Sequence, residues 1–141
     1  MSDKDGKIRV AIMDDHQGIL DGYLYRLQGQ AEIQIIGTIR YGDDLEPLLA
    51  RQPVDVLLLD MQVPSSLDNP NPFPVLPTIP RLVQLYPDMS ILAISMHNQR
   101  TLIQATMDAG ASKLRRACEW NSNVSFRYAG LGKRVQFCCH R

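Results

Sequence analysis

The first 110 residues alternate between short apolar runs and longer segments in which apolar side chains recur every three or four positions. Residues 8–13 and 54–59 are apolar nearly throughout, which is typical of parallel strands covered on both faces. Residues 17–28 carry leucines at spacings of four and three, which predicts one face of a helix that ends at Gly29. The same reasoning predicts further strands at 32–39 and 89–95, and further helices from Asp43-Asp44, at 75–86 and at 99–109.

The order of strand followed by helix, repeated four times, predicts an α/β fold of the doubly wound type with a mainly parallel sheet. The 45% hydrophobic and 21% charged fractions suit one globular domain. The polar start of the chain lacks the apolar stretch of a signal peptide. No apolar run approaches the roughly 20 residues that span a bilayer. We therefore expect a cytoplasmic protein that does not enter a membrane.

A proline-rich stretch interrupts this alternation after the third strand, since seven of the nine prolines lie within residues 64–87. Proline fixes φ and removes a hydrogen-bond donor, so residues 70–74, Pro-Asn-Pro-Phe-Pro, predict a stiff, exposed loop. The helix that follows must tolerate Pro77 and Pro80 near its start. Deletion of Asn69–Pro74 should cost little stability, because surface loops tolerate changes of length.

Polar residues follow three of the predicted strands: Asp14-Asp15 the first, Asp60 the third and Ser95 the fourth. The carboxyl ends of parallel strands meet at one edge of a sheet, so these carboxylates are neighbours if the first and third strands are adjacent. Close carboxylates repel one another, and a divalent cation relieves the repulsion; an oxygen-rich site suits Mg²⁺. A lone aspartate at a strand end is more often a cap or turn residue, but the conjunction favours a site.

Four short motifs occur in a fixed order along residues 7–112. They are Asp14-Asp15-His16, Leu57-Leu58-Leu59-Asp60-Met61-Gln62-Val63-Pro64, Ile94-Ser95-Met96-His97 and Asp108-Ala109-Gly110-Ala111-Ser112. In this combination the stretch resembles the receiver domain of two-component response regulators, in the branch usually fused to a helix-turn-helix DNA-binding output domain. The resemblance implies a flavodoxin-like fold with a five-stranded sheet flanked by helices.

The resemblance also implies the roles of individual residues. Asp60 would be the phosphoacceptor. Asp15 and Asp60 would ligate Mg²⁺ directly, together with the backbone carbonyl of Gln62, and Asp14 would act through water. Ser95 would be the switch hydroxyl that follows the phosphoryl group.

Two features depart from the family pattern. The loop after Pro64 replaces a short glycine-containing turn, and it is either a tolerated insertion or a surface for a specific partner. The family also ends its fifth strand on a lysine that pairs with the acceptor carboxylate. Counting along the motif, that position is Ala117, and the position of the usual aromatic residue is Leu114. Lys113 comes about four residues too early.

The composition changes where the resemblance stops. Residues 1–110 carry a net charge of −6 and residues 111–141 a net charge of +6, and all three cysteines lie in the second stretch. We assign 1–112 to the receiver domain, and we interpret 113–141 as an atypical basic tail produced by a frameshift or an artificial junction, with the output domain absent. The alternative is an evolved tail that binds nucleic acid or an acidic partner. The fifth strand stays unassigned, although alternation at 124–128 would allow the tail to supply it.

Other chemistries fit less well. An aspartate-nucleophile phosphatase of the haloacid dehalogenase class needs a second aspartate two residues after the nucleophile, where this chain has Gln62. No glycine-rich nucleotide-binding loop is present, and Cys138-Cys139-His140 lacks the paired spacing of zinc ligands. The open alternative is a receiver-like module that binds proteins but is defective in phosphorylation, because the lysine is missing.

We therefore expect a phosphoacceptor switch and not an enzyme, with Mg²⁺ as its cofactor. The expected partners are a sensor histidine kinase, which would supply the phosphoryl group, and a second copy of the chain in a homodimer. DNA would be bound only through the output domain that is absent from these 141 residues.

Overall fold

The structure, a computed structural model, describes residues 6–95, 105, 108–109, 113–116 and 136–139; for Ser95 and the last two ranges it describes the backbone. In chain order the elements are β1 (Ile8–Met13), α1 (Gln17–Gln28), β2 (Ile33–Ile39), a 3₁₀ turn (Gly42–Asp44), α2 (Leu45–Arg51), β3 (Val56–Asp60), α3 (Val75–Leu85), β4 (Ser90–Ser95), β5 (Lys113–Arg116) and β6 (Gln136–Cys139).

All six strands are parallel and lie in the order β2-β1-β3-β4-β6-β5. The chain leaves β1 for β2 on one side and returns to β3 and β4 on the other, so the strand order reverses between β1 and β3. Such a reversal opens a crevice at the carboxyl ends of the two strands, where α/β proteins bind ligands. The doubly wound fold expected from the sequence is confirmed, and β1 and β3 are adjacent.

The core explains why the strands are apolar throughout. Leu57 and Leu59 of β3 face a cluster that includes the buried residues of α2 and α3, whereas Leu58 faces a second cluster with α1. All three leucines are fully buried. Truncating any of them to alanine should cost about 2–5 kcal/mol, because the cavity is enclosed on both faces of the sheet.

The later elements extend the sheet beyond the five strands expected. β6 occupies the place beside β4, and β5 pairs with β6 at the edge. The alternating stretch Val124, Phe126 and Tyr128 lies outside the described residues. Of the helix expected at 99–109, Ala105 and Asp108 are helical, and the Ala109 N–H donates to the Ala105 carbonyl at 3.0 Å. The rest of that helix also lies outside the described residues.

The helix α3 tolerates its prolines by position. Pro74 immediately precedes the helix and Pro77 lies in its first turn, where N–H groups have no intrahelical partner in any case. Pro80 lies inside the helix but on its exposed side, while Val75, Ile79 and Leu82 are buried.

The proline-rich loop is only partly the exposed segment that its sequence predicts. Pro70, Pro72 and Pro74 are exposed, but Phe73 is half-buried and packs against the larger core cluster. A Cβ at Gly42 would overlap the Phe73 ring, so the ring rests directly on that glycine. The prediction of an exposed loop is therefore wrong at Phe73. That removal of residues 69–74 costs little stability stays a prediction, and the loss of the Phe73 ring from the core argues against it.

Candidate functional site

Four side chains gather at the crevice between β1 and β3. Asp14, Asp15 and His16 follow β1, and Asp60 is the last residue of β3. Each offers a ligand atom, and these atoms all lie within 4.8 Å of one another. The three aspartates predicted to be neighbours are brought together as expected, because the strand pairing aligns residues 10–13 with 56–59.

Asp60 and Asp14 form the buried floor of this cluster, with exposures of 7% and 2%. Asp60 Oδ1 accepts a hydrogen bond from the Gln62 N–H at 2.9 Å, and Asp14 Oδ1 accepts one from the His16 N–H at 2.9 Å. Each carboxylate is thus oriented by the backbone N–H of the residue two positions later in the chain. The chain turn after each strand therefore fixes the position of the functional oxygen atoms.

The pKa of Asp60 is raised from 3.8 to about 7, mainly by burial and also by the negative charges of Asp14 and Asp15, against the opposing Gln62 hydrogen bond. A carboxylate with this pKa is strongly destabilised in its charged form. The site is therefore built to bind positive charge, since a cation would relieve both the repulsion and the loss of hydration.

His16 and Arg40 belong to the surroundings of the site, although sequence reasoning gave neither a role. His16 Nδ1 lies 3.0 Å from Asp15 Oδ1 and 3.4 Å from Asp14 Oδ1, and the ring is largely exposed. Arg40 Nη2 donates to the Asp15 carbonyl at 3.1 Å. His16 follows the aspartate pair directly, so its position gave a signal. Arg40 reaches the site only because β1 pairs with β2, so the sequence alone gave no signal for it.

The donor set fits Mg²⁺. Asp15 Oδ1 is buried and, among the described residues, has no hydrogen-bond partner, although His16 Nδ1 is close to it. A buried acceptor without a donor is costly unless something else coordinates it. Three carboxylates are hard oxygen ligands of the kind that Mg²⁺ prefers, and it usually takes one or two of them with waters.

Ser95 ends β4 at the same edge of the sheet. Asp60 pairs with Ile94, the residue before Ser95, and the Met61 N–H donates to the Ile94 carbonyl at 2.9 Å. The backbone of Ser95 therefore lies next to the end of β3, as the sequence predicts. Its role as a switch hydroxyl stays a prediction.

In the described strands, no lysine lies in register with Ser95, where the family would place one. Ser95 pairs with Cys139 of β6, and Cys139 pairs with Arg116 of β5. Lys113 is in register with Gln136, three residues before Cys139, so it lies away from the carboxyl ends of the strands. Its strand, β5, is separated from β4 by β6. Ala117, the position where the motif places the lysine, lies outside the described residues.

Comparison with known proteins decides the family. Residues 10–114 match the response regulator receiver domain family. This chain belongs to that family. The match ends two residues after Ser112, close to the point where the motifs stop. No helix within the described residues is long and apolar enough to cross a membrane.

Several relatives share this domain in different settings. The transcriptional regulatory protein DegU of Brevibacillus brevis is 26% identical over 108 residues, which are 77% of this chain and 43% of DegU. A protein-glutamate methylesterase/protein-glutamine glutaminase of Rhodospirillum centenum is 32% identical over 88 residues, which are 62% of this chain and 20% of that protein. The chain thus spans less than half of these relatives. The isolated receiver domain of RcsB from Salmonella enterica, solved with the phosphomimetic BeF₃⁻, has the same fold, with a TM-score of 0.65, 21% identity and coverage of 76% and 75% of the two chains.

Proposed function

We propose that this receiver domain is a phosphoacceptor switch that takes a phosphoryl group from a sensor histidine kinase on Asp60 and is not itself an enzyme. The observation that carries the proposal is the burial of Asp60 among Asp14 and Asp15 at the strand-order reversal, beside a buried Asp15 Oδ1 that accepts no hydrogen bond from the described residues. The kinase, a second copy of the chain in a homodimer, and DNA through an output domain beyond these residues are the partners that follow from the proposal.

The proposed chemistry begins with the Asp60 carboxylate. One of its oxygens attacks the phosphorus of a phosphohistidine, the new O–P bond forms as the P–N bond breaks, and the imidazole leaves and takes up a proton. Asp60 must be ionised for this step, and the Gln62 N–H on Oδ1 leaves the other oxygen for attack. The acyl phosphate carries roughly −1.5 to −2 charges.

We further propose that Asp15, Asp60 and the Gln62 backbone carbonyl hold Mg²⁺, with Asp14 acting through water. When bound, the ion supplies positive charge that offsets the charge of the carboxylates and of the incoming phosphoryl group. Ser95 is the proposed hydroxyl that turns toward the phosphoryl group and begins a two-state rearrangement.

The test is incorporation from acetyl phosphate with Mg²⁺, followed by intact mass. We expect one phosphoryl group on the natural chain and none on Asp60→Asn or without Mg²⁺. Asp15→Asn should weaken Mg²⁺ binding, and Asp68→Asn, a change at an exposed loop position, is the matched control. Incorporation that persists in Asp60→Asn would contradict the assignment of the acceptor.

A second candidate is a receiver-like protein-interaction module without the phosphorylation cycle. The strand register favours it, because Cys139 and Arg116 share the row of Ser95 and no lysine of the described strands does. This candidate agrees with the proposal that residues 113–141 are not the native end of a receiver domain and derive from a frameshift or an artificial junction.

A rebuilt chain separates the two candidates. It carries a family-like fifth strand and lysine after Ser112, and it is compared with the natural chain in phosphoryl incorporation and in the NMR response to beryllofluoride. Full incorporation with the same conformational response in both chains would show that the tail has not disabled the switch. Incorporation and response in the rebuilt chain alone would support the interaction module.

A further inference from the structure

The turn that leaves the acceptor strand is clamped from both sides. On one side the Gly42 N–H donates to the Pro64 carbonyl at 3.0 Å and the Asp43 N–H to the Ser65 carbonyl at 2.9 Å. On the other side the Phe73 N–H donates to the Val63 carbonyl at 2.9 Å. The proline-rich loop thus folds back as a short hairpin on the segment that follows Asp60.

The same hairpin is closed by further backbone contacts. Pro64 and Pro72 form an antiparallel bridge, and the Ser65 N–H donates to the Asn71 carbonyl at 3.0 Å. Proline at both bridge positions restricts the loop in the unfolded chain as well, so the hairpin loses less entropy on forming.

Phe73 anchors this hairpin to the body of the domain. Its ring rests on Gly42, at a place that a side chain on residue 42 would fill, and it packs against the core cluster that contains Met61 and Val63. Met61 and Val63 are 8% and 2% exposed, and Gln62 between them is exposed. The orientation of the Gln62 peptide is therefore set by buried neighbours on both sides.

We infer that Phe73, seated on Gly42, is a positioning residue that fixes the Gln62 backbone against Asp60. It acts through Val63, whose carbonyl holds the Phe73 N–H, and it touches neither the ion nor the phosphoryl group. The inference rests on the proposed function, in which the Gln62 carbonyl is a ligand of Mg²⁺ and the Gln62 N–H orients the acceptor. The proline-rich loop is then part of the site's support, not only an inserted surface.

The test uses the ¹⁵N-labelled full chain and Mg²⁺ alone, with the Gln62 amide as the reporter. Phe73→Ala should weaken Mg²⁺ binding by about 10-fold, which is typical when a residue that supports a metal ligand is removed. Phe73→Leu keeps much of the volume and should weaken it by about 3-fold, and Gly42→Ala should act like Phe73→Ala because it displaces the ring. Leu67→Ala, at a loop side chain that is 78% exposed, should change nothing.

A second measurement needs no metal. Hydrogen exchange of the Gln62 N–H should accelerate by roughly 10-fold in Phe73→Ala, because the hydrogen bond to Asp60 opens more often. The Mg²⁺ dissociation constant comes from the folded population, so a simple loss of stability would not move it, whereas exchange also reports global unfolding.

The outcomes distinguish a failure of the proposed function from a failure of the positioning role of Phe73. If the natural chain does not bind Mg²⁺, the proposed function fails and this inference falls with it. If the natural chain binds Mg²⁺ and the Phe73 variants bind it equally well, the positioning role alone is overturned. If Phe73→Ala does not fold, Phe73→Leu decides, and an unchanged dissociation constant in that variant overturns the role.

Discussion

Strand β3 is flanked by two aspartates in opposite electrostatic situations. Asp55, just before the strand, accepts hydrogen bonds from the Arg9 backbone N–H at 2.8 Å and from both arms of the Arg9 guanidinium at 2.9 Å. These bonds lower the pKa of Asp55. Asp60, at the other end, meets two further carboxylates, and its pKa is raised to about 7.

The two aspartates differ because one end of the sheet contributes to stability and the other forms the candidate site. At the amino end a carboxylate is paired with a cation, so its charge is compensated within the chain. At the carboxyl end the charges of Asp14 and Asp15 oppose that of Asp60, and the His16 ring, 3.0 Å from Asp15 Oδ1, is charged only if it is protonated. A bound cation would complete the compensation. Uncompensated buried charge is a common property of functional sites.

The largest expected effect is at Asp60. A pKa raised from 3.8 to about 7 means that folding favours the protonated form, so stability is fully present below pH 3.8 and is lost as the pH rises through about 7. The difference amounts to about 4 kcal/mol between the two protonation states. Asp60→Asn should therefore raise the free energy of unfolding by about 2–4 kcal/mol at pH 8 without Mg²⁺, as measured by urea denaturation.

The gain from Asp60→Asn should shrink toward zero at pH 4, where the natural carboxyl is protonated in the folded chain. Asp68→Asn is the control for removing one exposed negative charge, and it should change stability by less than about 0.5 kcal/mol. A loss of stability in Asp60→Asn at pH 8 would mean that the carboxylate is compensated within the chain, like Asp55.

The opposite sign is expected at Asp55. Asp55→Asn should lower the free energy of unfolding by about 1–3 kcal/mol at pH 7, since it removes the carboxylate charge that faces the largely buried Arg9 guanidinium. A lowered pKa gives stability that is present above pH 3.8 and is lost as the pH falls through the folded value. The variant and the natural chain should therefore converge toward pH 2.

Arg9→Lys is the matched control for this pair, because it keeps the charge and loses the two-armed geometry. It should cost less than Asp55→Asn. Equal stability of Asp55→Asn and the natural chain at pH 7 would remove the contrast between the two ends of β3.

A smaller effect is expected in the pH dependence of Mg²⁺ binding. Asp60 must lose its proton to act as a ligand, so the apparent affinity should fall by about 10-fold for each pH unit below 7 and level off above it. Isothermal titration at pH 5.5, 6.5 and 8 measures this. The Asp15→Asn variant should bind more weakly but keep a slope, and a flat profile in the natural chain would contradict a protonated Asp60.

Much of this arrangement could be predicted from the sequence. The helix at Gln17–Gln28 has the predicted bounds because its leucines keep a helical spacing. The strand at Ile8–Met13 has them because its short apolar run ends abruptly at Asp14. The meeting of Asp14, Asp15 and Asp60 followed from one topological assumption, the adjacency of β1 and β3.

The parts that escaped prediction depend on contacts between distant residues. The Arg9–Asp55 pair joins residues 46 apart in sequence, and it forms only because β1 and β3 pair in one particular register. The contact of the Phe73 ring with Gly42 joins the proline-rich loop to the 3₁₀ turn, and neither segment has a hydrophobic periodicity that predicts the contact. The place of β6 beside β4 depends on Gln136–Cys139, whereas the alternation that the sequence offers in this stretch lies at 124–128.

The smallest expected effect concerns Arg40, the cation at the margin of the acidic cluster. Its guanidinium is exposed and bonds the Asp15 backbone carbonyl, so its charge is screened by solvent and does not neutralise the carboxylates. Arg40→Gln should tighten Mg²⁺ binding by about 2-fold at low salt, because one repelling charge is removed. The difference should vanish near 1 M salt, where the Debye length is about 3 Å. Arg51→Gln, at an exposed arginine that ends α2, is the control and should leave the Mg²⁺ affinity unchanged at both salt concentrations. Weaker binding in Arg40→Gln at every salt concentration would show that the hydrogen bond positions Asp15. Compensation at this end of β3 would then come partly from within the chain.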